Sequence, residues 1–143
     1  LKFLRRKIIL TDFTLKTFRV NDVSFVNRLV PNTKIEIGNK YSYNVGYSKN
    51  NICRGEFTAE IFDKNNSDNF YIKVVLVGVF SFNEGTKKEK LHVDTFKALF
   101  PIVRSYIITL TSNAGIPPVI IPNADIDNQD IYRVDLNNNN RES

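Results

Sequence analysis

The sequence predicts an α+β fold, a run of β-strands followed by one helix. Three observations carry this. Across residues 18–82 apolar and polar side chains alternate with period two, broken by Asn-, Asp-, Gly- and Lys-rich turns. Phe96, Leu99, Phe100, Val103, Ile107 and Leu110 then fall at spacings of three and four, which is one apolar stripe on a helix. Beyond them Gly115 is a helix stop, and Pro117-Pro118 forbid continuation.

The first stretch, up to Leu15, is basic and mixed, and reads as a strand or a loose arm. From Phe18 the signals sharpen. Phe18 and Val20 share one parity and Val23 and Phe25 the other, with the slip at Asn21-Asp22. A β-bulge produces such a slip, and so do two short strands joined by a turn. Leu29-Val30-Pro31-Asn32 breaks the pattern and serves as a crossover loop. Ile35, Ile37, Tyr41, Tyr43, Val45 and Tyr47 give a second strand with one apolar, aromatic face. In the third, Phe57, Ala59 and Ile61 alternate with Glu56, Thr58 and Glu60, so one face is wet. The loop 63–69, DKNNSDN, leads to a fourth strand over 70–82 that is apolar on both faces.

Residues 83–90, NEGTKKEK, read as a polar loop, and the helix as 96–112 with Pro101 suited to its first turn. Ile102, Tyr106 and Ile108 lie off the apolar stripe. A helix apolar on more than one side, beside a strand apolar on both faces, calls for more cover than so short a chain supplies. A second subunit is one source. A core helix with a few spare apolar residues is the other reading. Residues 126–136 are a marginal element among many Asp and Asn.

At 143 residues the chain has the length of one domain, with 42% apolar and 24% charged residues. That domain is expected over 1–136, followed by a polar, disordered tail at 137–143. The net charge of +5 permits attraction to nucleic acid, anionic lipid or acidic protein, but the cations are spread along the chain. Cys53 is the lone cysteine, which excludes an intrachain disulfide and fits a reducing compartment. With His92 the lone histidine, no metal-ligand spacing and no Cys-His dyad emerges, so no metal and no cofactor is expected. In residues 2–12, KFLRRKIILTD, the apolar run is too short for a signal peptide, and no run reaches membrane-spanning length. A soluble, cytoplasmic protein is therefore expected. The chain has no methionine, even at position 1, so its natural N-terminus is expected upstream.

Catalytic chemistry finds little footing. Gly78 and Gly85 match no phosphate-binding fingerprint, and no serine sits in a nucleophile elbow. Glu56 and Glu60 share a strand face, but two carboxylates on a wet face are usually solubilising. No enzyme is expected. Binding finds more. Aromatic strand faces lie in the same chain as Ile116, Val119, Ile120 and Ile121, which sit in a Pro-braced extended segment that cannot bury itself by forming a helix. The bland reading makes all of these monomer core.

The residues around the helix also carry a resemblance. Leu99-Phe100-Pro101, Arg104-Ser105-Tyr106-Ile107, Leu110-Thr111, Asn113-Ala114-Gly115, Pro117-Pro118 and Pro122 together resemble the SecB-type protein-export chaperones, with a looser match over 18–82. The resemblance implies a four-stranded antiparallel sheet with one long helix packed on it, assembled as a dimer or a dimer of dimers. It implies a nucleotide-independent holdase for unfolded or export-bound polypeptides, with delivery to the SecA translocase. It places client binding at Phe25, Leu29, Val30, Tyr41, Tyr43, Ile116, Val119, Ile120 and Ile121. Ile102, Tyr106 and Ile108 are the candidate oligomer interface.

Two departures bear on partners. Family members that dock on SecA carry an acidic sheet surface, often with an acid after the Ser-Phe of the first strand, whereas here Val26-Asn27 follows Ser24-Phe25. The longer second helix of the family is replaced by a polar stretch. A SecB-like chaperone dedicated to one client, such as an antitoxin, is the nearest alternative. A basic nucleic-acid-binding module is the alternative of another class, but Lys40, Lys49, Arg54 and Lys73 do not cluster with Tyr41, Tyr43 or Tyr47 in the sequence.

Overall fold

The structure, a computed structural model, describes residues 12–122. Sequence readings for residues 1–11, for 126–136 and for the tail at 137–143 lie outside the described residues. The chain forms β1 (Phe13–Asn27), β2 (Ile37–Ser48), β3 (Ile52–Asp63), β4 (Phe70–Phe82) and helix α1 (Lys88–Asn113). The strands make one sheet of order β1-β4-β3-β2, every pair antiparallel. β1 and β2 are therefore opposite edges, and residues 28–36 cross from one to the other.

β1 decides between the two readings of its slipped pattern. It is one 15-residue strand whose register against β4 shifts twice, between Leu15 and Thr17 and between Val20 and Asp22. Each extra residue flips the parity once. Leu15 thus pairs with Phe80, Val20 with Leu76 and Phe25 with Ile72, so three apolar pairs of differing parity all point to one side. The shift at Lys16 was hidden in the sequence, because no apolar pair brackets it as closely as Val20 and Val23 bracket the other.

That side carries the core. Tyr41, Tyr43, Phe57, Ala59, Ile61, Phe70, Ile72, Val74, Leu76 and Phe80 are buried beneath Phe96, Leu99, Phe100, Val103 and Ile107 of α1. Phe57 meets Phe96 edge-to-face at 4.9 Å and Phe100 at a tilt at 6.0 Å between ring centroids. On the opposite face Val75 and Val77 are only 9% and 7% exposed, although no second layer lies over them among the described residues. They sit on an interior strand between Arg19 and Asp22 of β1 and Glu56 and Thr58 of β3. Long polar side chains cover such positions with their stems. Burial on this face therefore comes from the chain itself, and does not require a partner.

α1 is longer than the sequence stripe, at 26 residues, and begins inside the stretch read as a loop. Lys88, Glu89 and Lys90 are strong helix formers, and Glu89 complements the positive end of the helix dipole. Their charges hid the first turn because they add nothing to the apolar stripe. Pro101 consequently lies inside the helix, not in its first turn. It is exposed, on the side where water can take over a missing backbone bond.

The C-terminus stops as expected. Gly115 adopts φ +82°, its N–H bonds the Ser112 carbonyl at 3.1 Å, and the Ile116 N–H bonds the Thr111 carbonyl at 3.4 Å. This pair of bonds is the Schellman motif, which needs the left-handed residue that glycine supplies without strain.

Candidate functional site

Contacts along β2 fix the direction of α1. Tyr47 reaches the Lys88 carbonyl at 3.5 Å, Tyr43 bonds Thr95 at 2.6 Å, and Tyr41 meets Phe100 at 5.8 Å between centroids. The helix thus runs antiparallel to β2 and ends at the start of that strand. The same end of the sheet holds the end of β1, since Asn27 pairs with Phe70, and the end of β3, since Ile37 pairs with Asp63. The crossover 28–36 and the segment 116–122 after the helix therefore share one end of the molecule.

Each of these two segments is held rigidly. The Arg28 N–H bonds the Asn69 carbonyl at 2.7 Å, and the Lys64 N–H bonds the Glu36 carbonyl at 2.9 Å, which ties both ends of the crossover to the β3–β4 loop. Between them Pro31 and Asn32, the latter at φ +65°, form a turn closed by the Thr33 N–H on the Val30 carbonyl at 3.3 Å. Proline followed by a positive-φ residue suits a type II turn. The turn leaves Val30 68% exposed, with Leu29 half-buried on the core.

The segment after the helix is pinned by Thr111. Its buried hydroxyl donates to the Ile107 carbonyl at 2.8 Å and accepts the Val119 N–H at 2.9 Å. Ile121 is buried, Ile116 and Val119 pack half-buried on the core, and Ile120 stands 60% exposed. Sequence reasoning missed Thr111 because its role depends on a chain reversal at Gly115 that brings Val119 back over the last helical turn.

The nine candidate client residues separate by burial. Leu29, Val30, Ile116, Val119 and Ile120 lie on the two rigid segments, and Phe25 is half-buried beside Phe70. Ile121 belongs to the core. So do Tyr41 and Tyr43, at 8% and 0% exposure, because the helix lies over that face of β2. They support the helix and form no open aromatic floor. Burial pushes the Tyr41 hydroxyl up to about 12, partly offset by the Arg104 charge, and raises that of Tyr43 further.

The interface candidates separate too. Ile102 and Tyr106 line an apolar groove of about 470 Å³ with Phe18, Val20 and Pro101, and Phe18 is 50% exposed there. Ile108, two residues beyond Tyr106, is rotated by roughly 160° around the helix and belongs to the other flank. Phe18 escaped the sequence reading because only the first bulge turns it toward this groove.

The remaining chemistry-bearing residues have structural roles. Glu56 pairs with Arg54 at 3.4 Å, and Glu60 accepts the Tyr71 hydroxyl at 2.9 Å. Burial pushes the Cys53 thiol up, away from thiolate chemistry. His92 packs on the Tyr43 ring at 5.2 Å. Among the described residues no group of His, Cys, Asp and Glu could hold a metal, and no helix is long and apolar enough to cross a membrane.

No protein-family model matches the sequence, and no curated protein matches it. Among solved structures it is similar to the SecB-like chaperone Rv1957 of Mycobacterium tuberculosis, in complex with a ChAD peptide from the Rv1956 HigA1 antitoxin. The TM-score is 0.63 at 17% identity, over 85% of this chain and 95% of that one. The four-stranded antiparallel sheet with its single packed helix is a SecB-like fold.

Proposed function

We propose that this protein is a nucleotide-independent chaperone that holds non-native polypeptide at the end of the sheet where both the crossover and the 116–122 segment lie. The observation that carries the reading is the pair Val30 and Ile120. They are 68% and 60% exposed, and each stands on a backbone fixed by a turn or a side-chain bond. Large aliphatic groups on rigid supports suit an apolar, extended chain. Leu29, Ile116 and Val119 extend that surface, with Phe25 at its margin. The SecB-like fold supports the reading, and the similar chaperone carries a peptide.

A version dedicated to one client, such as an antitoxin, has its own support. The sheet face away from α1 carries Arg19, Lys40, Arg54 and Lys73 against Asp22, Glu56 and Glu60, which is no acidic dock for a SecA-type receptor. The peptide on the similar chaperone comes from an antitoxin. Binding in the cytoplasm by a homo-oligomer joined through the groove of Phe18, Ile102 and Tyr106 completes the proposal.

The test is suppression of aggregation of a chemically unfolded client without ATP, at low and moderate salt. Protection is expected at both. Loss at moderate salt with recovery on desalting favours electrostatic, nucleic-acid-like binding and overturns the reading. Ile120→Ser and Leu29→Ser are expected to weaken protection, and Ile120→Ser to change stability by less than about 0.5 kcal/mol, as at other exposed sites. A single client held far more tightly than unrelated unfolded proteins selects the dedicated version.

A further inference from the structure

We propose that Arg28 is a carboxylate receptor beside the apolar surface, so that the clients this protein prefers are apolar segments with an acidic group a few residues away. The inference rests on the polypeptide-binding reading above and adds the chemical class of the client. Arg28 is the first residue of the crossover, and both its backbone and its side chain are tied to the loop between β3 and β4. Its N–H bonds the Asn69 carbonyl at 2.7 Å, and its Nη1 donates to the Asp68 carbonyl at 3.0 Å. Both acceptors are backbone atoms, so neither neutralises the charge.

Among the described residues no carboxylate forms an ion pair with Arg28, that of Asp68 included. A guanidinium carries five N–H donors in a planar fork that matches a carboxylate. The bond to the Asp68 carbonyl holds the fork in place and leaves the rest of it to a ligand. A charged side chain held beforehand escapes much of the ordering cost that makes exposed ion pairs weak. Arg28 lines a cleft of about 410 Å³ together with Val26, Ser67, Asp68 and Tyr71, between the end of β1 and the loop that holds it.

The surroundings favour an anion. The crossover carries three charged residues, Arg28, Lys34 and Glu36. Glu36 is engaged by Lys64 at 3.4 Å, whereas Lys34 makes no ion pair among the described residues. The exposed Val30 thus stands between two cations that lack a carboxylate. Two residues of chain span at most about 7 Å. An acidic group one to three residues from the client side chain that covers Val30 therefore reaches Arg28.

The test uses peptides with the core Leu-Val-Tyr-Leu-Val, blocked at both ends and flanked on each side by two Glu, two Gln or two Lys. They are titrated calorimetrically against the full chain. The Glu form is expected to bind about fivefold more tightly than the Gln form, and the Lys form more weakly than either. Added salt is expected to shrink the Glu-to-Gln ratio while the Gln form keeps its affinity. Arg28→Gln is expected to bring that ratio to about one, and Arg28→Lys, which keeps the charge without the fork, to leave it in between. Lys49→Gln removes the same charge beyond the far end of β2 and is expected to leave the ratio unchanged. A ratio that Arg28→Gln leaves intact, or that Lys49→Gln lowers equally, reports net charge alone and overturns the inference. Equal binding of the Glu and Gln forms also overturns it and leaves the proposed function standing. Failure of all three peptides to bind overturns both. A Gln-flanked peptide with a free C-terminal carboxylate separates the two sources of the group. A gain equal to that of the Glu form assigns the cleft to chain ends, and no gain assigns it to Asp and Glu side chains.

Discussion

Replacing Thr111 by Val exchanges one hydroxyl for a methyl of nearly equal size at a site with no exposure. Both residues are β-branched, so the helix itself is little affected. The Ile107 carbonyl keeps its backbone bond within the helix. What is lost is the acceptor for the Val119 N–H, now at 2.9 Å from Thr111 Oγ1. A typical hydrogen bond contributes about 1 kcal/mol net, and an orphaned buried donor costs about 1–3 kcal/mol. Val119 is half-buried, so water reaches part of the freed group, and the cost falls near 1–2 kcal/mol. For a chain of this size that is roughly 3–7 °C in melting temperature if the segment is released only on global unfolding. If it is released locally, the melting shift is smaller, and the Val119 amide exchanges about 5- to 30-fold faster instead. Thermal unfolding by circular dichroism, with amide exchange followed by NMR, separates the two. Thr111→Ser keeps the oxygen and is the control for the bond. A Thr111→Val protein with unchanged melting and unchanged Val119 exchange would refute the claim that this bond holds the 116–122 segment. Client protection is expected to fall in parallel with the release.

Gly55→Ala places a methyl 2.1 Å from Tyr43 Oη and forces the buried Tyr43–Thr95 bond apart, so a loss of about 2–3 kcal/mol is expected in urea unfolding, whereas Gly46→Ala, with open space around it, stays within about 0.5 kcal/mol. Tyr106→Asp puts a charge into the groove with Phe18 and is expected to lower the mass seen by light scattering. Ile108→Asp, on the other flank, leaves that mass unchanged, and equal effects would refute the groove as the interface. Tyr41 titrates near 12 in the folded protein and Tyr43 higher still, against about 10 when unfolded. Above pH 10 the unfolded chain therefore binds fewer phenolic protons than the native one, and stability is full below pH 10 and falls from there through pH 12 and beyond. Urea unfolding across that range shows the slope, Tyr41→Phe reduces it, and a flat profile up to pH 11.5 would refute the burial.

The strands were legible in the residues, because an apolar face of period two is written directly in them: Tyr41 and Tyr43 in β2, Phe57 to Ile61 in β3, and Phe70 to Phe82 in β4, whose other face is apolar as well. The sequence by itself determined the C-terminal stop of the helix, since Gly115 and Pro117-Pro118 act through local backbone geometry. It also located the slip between Val20 and Val23, which the paired strand then showed to be a bulge and not a turn between two strands. The rest depended on packing between elements. The first helical turn, Lys88 to Lys90, has no apolar residue to announce it, and Pro101 is tolerated mid-helix because its side of α1 faces solvent. Tyr43 and Ile121 left the candidate site for the core, because an aromatic or aliphatic residue on a sheet reads the same whether a helix or a client lies over it. Thr111 entered because a hydrogen bond to Val119 exists only once Gly115 has reversed the chain. Periodicity reports which side of an element is apolar, and packing alone reports what covers that side.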